Sequence, residues 1–129
     1  MYEPESNTNG IRIQAQSTYL QDHSEPKNKQ WFFAYTIDIY NESESTVQLL
    51  SRHWIITDSE GEVLEVRGEG VVGEQPVIPP GDSYQYTSFC PLGTSFGTMH
   101  GTYQMVTSRG EKFDAVIPPF SLSTPHTIN

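Results

Sequence analysis

The chain has 129 residues, with 16 acidic against 7 basic side chains and a formal net charge of −9. This is about one domain's worth of residues, and its negative field repels nucleic-acid phosphates and anionic lipid, which disfavours general binding to either unless a local basic patch exists. Alanine occurs only at Ala15, Ala34 and Ala115, while Val, Ile, Thr and aromatic residues abound, a usage that fits pleated surfaces and excludes a helical protein.

Residues 1–9 are polar and acidic and read as a flexible tail, as do residues 123–129, leaving a single domain over 10–122. The first residues lack the basic and apolar regions of a secretory signal, and no apolar run is long enough to span a bilayer. Cys90 is the only cysteine, so no intrachain disulfide is possible, and a protein of the reducing cytoplasm is expected.

The first patterned segment is Gly10 to Leu20, with Ile11, Ile13 and Ala15 on one face. Residues 23–29 (HSEPKNK) are a loop by composition. A long strand follows, with Trp31, Phe33, Tyr35, Ile37 and Ile39 alternating against a more mixed face. Residues 46–58 (TVQLLSRHWIITD) are apolar on both faces in part, as expected of an interior strand. A turn at residues 58–61 (DSEG) returns the chain as a hairpin partner, EVLEV. Residues 76–83 (PVIPPGDS) form a Pro/Gly connection, and SYQYTSFC, TYQMVTS and KFDAVIPPF complete about seven strands. The class is all-β, a sandwich or barrel.

Gly68, Gly70 and Gly73 spell GxGxxG, the phosphate-cradling pattern. That chemistry needs freed backbone amides between a strand and a helix N-terminus. A strand precedes the motif, but the proline-rich residues after it cannot form a helix, so a dinucleotide-binding reading fails on context. The preferred reading gives the glycines to the backbone, as a strand end, a bulge or a close approach. Arg67, and Arg52 elsewhere, keep a pyrophosphate site open as the alternative, because guanidinium forks match phosphate oxygens.

The acids at Asp58, Glu60, Glu62, Glu65, Glu69 and Glu74 lie along a strand and read as a solvated face, not a cation site. The histidines have no metal spacing with one another or with Cys90, and His53 reads as a packed or hydrogen-bonded imidazole. No catalytic constellation is present, and no metal or cofactor is called for. Trp31 and Trp54 are candidates for the core, or for a partner contact if either ring is exposed. Tyr84, Tyr86, Phe89 and Tyr103 either complete the core or line an exposed face.

SRHWIITD (51–58), GEVLEVRGEGVVGEQPVIPPG (61–81), YTS (86–88), MHGTYQMV (99–106) and KFDAVIPPFSL (112–122) together resemble the ApaG family, from Gly10 to Leu122. The resemblance implies a fibronectin type III-like (immunoglobulin-like) sandwich of about seven antiparallel strands in two sheets. It also implies a link to cobalt and magnesium resistance, and a gene neighbourhood shared with diadenosine tetraphosphate metabolism. Eukaryotic members sit in F-box and polymerase-delta-interacting proteins, where they resemble protein-interaction modules. The resemblance further marks Gly68, Gly70 and Gly73 as a pyrophosphate site, and it carries no enzymatic activity. His100 and the Phe89-Cys90 pair depart from the family pattern. The expectation is therefore a non-enzymatic, cytoplasmic module with an unidentified protein partner; nucleotide binding is disfavoured.

Overall fold

A computed structural model describes residues 3–125. Nine strands run in the order β1 (Glu5–Thr8), β2 (Ile11–Tyr19), β3 (Trp31–Asn41), β4 (Val47–Asp58), β5 (Val63–Glu69), β6 (Val77–Ile78), β7 (Ser83–Leu92), β8 (Phe96–Thr107) and β9 (Lys112–Ser123). They form two antiparallel sheets, ordered β1-β2-β3-β7 and β5-β4-β8-β9, with β6 pairing to the end of β4. The seven longer strands fall on the segments read from the sequence; β1 and β6 are additional. Helical structure among the described residues is limited to single 3-10 turns at Gln21–His23 and Pro26–Asn28. No helix among them is long and apolar enough to cross a membrane.

Alternation explains the core. Ile11, Ile13 and Ala15 of β2 and Phe33, Tyr35, Ile37 and Ile39 of β3 are buried, facing Trp54, Tyr103, Met105 and Ile117 of the other sheet. Burial of such side chains stabilises the fold by roughly 1.5–3 kcal/mol each. One buried polar residue, Asn41, ties the chain where it crosses between the sheets. Its amide donates to the carbonyls of Ser45 and Ile78, each at 2.8 Å, and its Oδ1 accepts from the Ser43 amide at 2.9 Å.

Strand β4 is interior, between β5 and β8, but its two-faced apolar character has a more specific cause. The register against β8 shifts between Leu49 and Ser51. Val47 and Leu49 face the core before this bulge, and Trp54 and Ile56 after it, so the inward parity changes from odd to even. Arg52 falls in step with Trp54 and is turned towards the space between the sheets. A bulge re-aims the side chains that follow it.

The two seams of the sandwich differ. On one side β1 and β2 are fastened to β9 by hydroxyls. Ser6 Oγ donates to the Val116 carbonyl, the Val116 amide donates to Thr8 Oγ1 at 3.1 Å, and Ser17 Oγ donates to the Ser121 carbonyl at 2.6 Å. Residues 1–9 read as a tail, yet Glu5–Thr8 form an edge strand, held by backbone pairing and these hydroxyls instead of apolar burial. Of residues 123–129, Ser123 ends β9 and residues 126–129 lie outside those described. On the other side, no ladder joins the edge strands β5 and β7.

Candidate functional site

The glycine motif begins in β5 and continues into a tight hairpin. Gly68 pairs with Arg52 across the sheet, and a Cβ there would stand 2.7–2.8 Å from the Arg52 guanidinium. Gly70 has φ +63, and its Cβ would meet the Glu74 carbonyl oxygen at 2.2 Å. In the turn from Val71 to Glu74, both central residues, Val72 and Gly73, have positive φ, +49 and +80. That is the pattern of a type I′ turn, whose twist matches the strands it joins. The amide of Gly70 donates to the Leu50 carbonyl at 2.8 Å, that of Val71 to Glu74 at 2.8 Å, and that of Glu74 to Val71 at 3.0 Å. Three of the donors a phosphate cradle would use, the amides of Gly70, Val71 and Glu74, are thus engaged with backbone carbonyls. Arg67 lies on the opposite face, largely exposed, its guanidinium 3.7 Å from Glu65. Glu65 also lies 2.8 Å from His53 Nε2 on this outer face. Arg67, Gly68 and Arg52 all border one outer depression with His53, but the Arg67 guanidinium is turned to Glu65, while that of Arg52 lies against Gly68 on the inward side.

The two tryptophans divide. Trp54 is 2 % exposed and meets Tyr35, Phe120 and Tyr103 edge-on, at centroid distances of 5.4, 5.9 and 6.3 Å. Its indole N–H is buried with no hydrogen-bond partner. Trp31, at the start of β3, is half-buried and packs against the edge of the core. The later aromatics divide as well: Tyr86 and Tyr103 are buried and hydrogen-bonded hydroxyl to hydroxyl, Tyr84 is half-buried, and Phe89 is exposed.

The open seam holds a groove of about 230 Å³ lined by residues of β3, β4, β5, β7 and β8. Leu64 and Val66 of β5 and Phe89 and Pro91 of β7 are among its walls, while Arg52, Tyr35, Ser88 and Cys90 add polar groups. Leu64 sits on the inward side of β5, in register with Ile56, yet is 60 % exposed, on an edge strand that no ladder joins to β7. Phe89 is equally exposed, at 60 %. No periodic signal marks this feature: EVLEV reads only as a hairpin partner, and its exposure follows from its place at the sheet edge.

The groove's thiol and phenol are held neutral. Burial pushes the Cys90 thiol up to about 11, far from a reactive thiolate at neutral pH. Burial also raises Tyr35, opposed by the Ser88 hydroxyl and by the Arg52 charge. No group of three or more His, Cys, Asp or Glu residues converges among the described residues.

A family model described as the ApaG domain matches residues 21–107. The chain belongs to the ApaG family. The ApaG protein of Methylobacterium nodulans is 52 % identical over 126 residues, covering 98 % of this chain and 95 % of that protein. The ApaG protein of Shewanella oneidensis is 50 % identical over 117 residues, covering 91 % and 93 % respectively. Among solved structures, the putative ApaA protein of Bordetella pertussis superposes with a TM-score of 0.87 at 44 % identity, covering 97 % of this chain and 98 % of that one. The C-terminal domain of wzt, at a TM-score of 0.57 and 11 % identity, covering 98 % of this chain and 80 % of that one, shares the fold alone.

Proposed function

We propose that this ApaG-family chain is a non-catalytic, cytoplasmic binding module that receives an extended segment of a partner protein along the β5/β7 seam. The observation that carries this reading is the contrast between the two seams. One is fastened by hydroxyl–backbone hydrogen bonds; the other leaves two edge strands unjoined, with Leu64 and Phe89 exposed beside them. Unpaired edge strands offer backbone donors and acceptors to an added strand, and neighbouring apolar side chains give such a contact its affinity. The groove is smaller than the roughly 300–1,000 Å³ of pockets that enclose a whole small molecule, so it suits a side chain of a larger partner. The cobalt and magnesium resistance implied by the family resemblance would then act through the partner. The engaged amides of Gly70, Val71 and Glu74, and the turn of the Arg67 guanidinium towards Glu65, favour this reading over pyrophosphate capture at Gly68, Gly70 and Gly73.

Site-specific photocrosslinking in growing cells tests it. A benzophenone amino acid at position 64 or 89 is expected to trap one discrete protein. The same group at position 116, on the outer face near the closed seam, is expected to trap none. Equal trapping from position 116, or none from positions 64 and 89, would overturn the reading.

A further inference from the structure

We infer that Arg52 is an anion anchor in this groove, and that the segment seated there presents a single carboxylate side chain flanked by large apolar residues. The inference rests on the seam being the partner site and specifies what the partner must carry.

Arg52 is distinguished first by its pairing. Arg12 is paired with Glu5 and Glu42, and Arg67 with Glu65, whereas Arg52 and Arg109 make no ion pair among the described residues, and of these two Arg109 is exposed in a turn. It is half-buried, and its hydrogen bonds come from Nη1 alone, to the Glu69 carbonyl at 3.0 Å and the Gly70 carbonyl at 2.8 Å. A guanidinium has five N–H donors in a planar fork, so these two bonds fix its plane and leave Nε and Nη2 without a protein partner. A partly dehydrated charge is costly until an opposite charge meets it.

Two separate features of the chain accommodate this one side chain. The β4 bulge turns it inward, where unbroken alternation from Leu49 would have turned it to the outer face. The absence of a side chain at Gly68 leaves the space its guanidinium occupies. The first glycine of the GxGxxG pattern thereby serves an arginine, and through it an anion, without contacting a phosphate.

The surroundings select the kind of anion. Tyr35 and Ser88 bring hydroxyl donors to the same groove, beside the apolar walls from Leu64, Val66, Phe89 and Pro91. The volume of about 230 Å³ suits one side chain and not a nucleotide. Outside the groove, a net charge of −9 repels an acidic tract. One carboxylate set among apolar residues satisfies both conditions, and repulsion elsewhere on the surface fixes its register.

The test pans a display library of short random peptides on the full chain, then measures affinities of the selected peptides by fluorescence anisotropy. Selected peptides are expected to carry Asp or Glu beside a large apolar residue. Changing that Glu to Gln in the peptide is expected to weaken binding at least about tenfold, the scale of one charge-assisted hydrogen-bonded pair. Against an Arg52→Gln chain the same peptide change should have no effect, and Arg52→Lys should restore part of the difference. Because the peptide substitution leaves the protein untouched, the result stands even where Arg52→Gln weakens the hairpin. Peptides that need Leu64, losing affinity on Leu64→Glu, but are indifferent to their own acid would overturn the anchor and leave the groove reading intact. Peptides indifferent to Leu64→Glu, or the absence of any selected peptide, would overturn both.

Discussion

Gly70→Ala is the sharpest test of why the glycine motif exists. Gly70 has φ +63, and placing an L side chain in that left-handed region costs about 1–2 kcal/mol. The added Cβ would also lie 2.2 Å from the Glu74 carbonyl oxygen and 2.9 Å from its carbon, so the hairpin base must open. Opening breaks the reciprocal Val71–Glu74 bonds of 2.8 and 3.0 Å. Each such bond contributes about 1 kcal/mol net, which brings the expected loss to about 3–4 kcal/mol. Gly73 is the internal control. Its φ is +80 but nothing lies within 4 Å of the added Cβ. Gly73→Ala should therefore cost only the conformational share, about 1–2 kcal/mol. Guanidinium denaturation followed through tryptophan fluorescence reads both, provided the slopes agree with wild type. A Gly70→Ala loss within about 0.5 kcal/mol, the range of inert surface changes, would refute the backbone account. So would a Gly73→Ala loss as large as that of Gly70→Ala.

Trp54→Ala should cost about 3–5 kcal/mol in the same assay, and Trp54→Phe much less, because Phe removes the orphan indole donor along with the ring atoms. Tyr103→Phe should cost about 1–3 kcal/mol by leaving the buried Tyr86 hydroxyl alone, and adding Tyr86→Phe should recover part of that loss in a double-mutant cycle. Val72→Asn, which places Asn-Gly in the turn where Val72 holds φ +49, should raise stability by about 0.5–1 kcal/mol, read as a higher denaturation midpoint. The alkaline limb follows from acids whose folded-state pKa lies above the unfolded value. Cys90 stands at about 11 against 9.0, and Tyr35, Tyr86 and Tyr103 lie above 10.0, so their neutral forms favour the fold. Stability should be indifferent to these groups below about pH 9, fall as Cys90 contributes between about 9 and 11, and fall further as the tyrosines add above about 10. Melting temperatures across that range check it.

Where one residue in two meets the core, the strand and its inward face were legible in the sequence, as along β2 and β3. The turn at residues 58–61 was legible too, through Gly61 at φ +84, whereas the hairpin at 71–74 was not, since its glycines read equally as a strand end, a bulge or a close approach. Strand β1 was not: ESNT has no apolar alternation, and its attachment through Ser6 and Thr8 uses hydroxyls that look the same in a tail. The bulge in β4 left a trace that alternation arithmetic could have caught, since Val47 and Leu49 share one parity and Trp54 and Ile56 the other. Its consequence, an inward Arg52, follows once that change is noticed. The groove itself depends on β5 and β7 ending their two sheets side by side without a ladder, a property of pairing between distant strands that no local pattern around Leu64 or Phe89 records.

Hydrogen exchange of the chain, alone and in complex with the protein trapped from positions 64 and 89, tests the seam most directly. In the free chain the outward amides of β5 and β7 should exchange quickly, as amides of unpaired edges do. In the complex, slowed exchange is expected along both strands, with the β1–β9 side unchanged. Protection confined to β1 and β9, or to the hairpin at residues 70–74, with β5 and β7 unaltered, would contradict the open seam as the partner site.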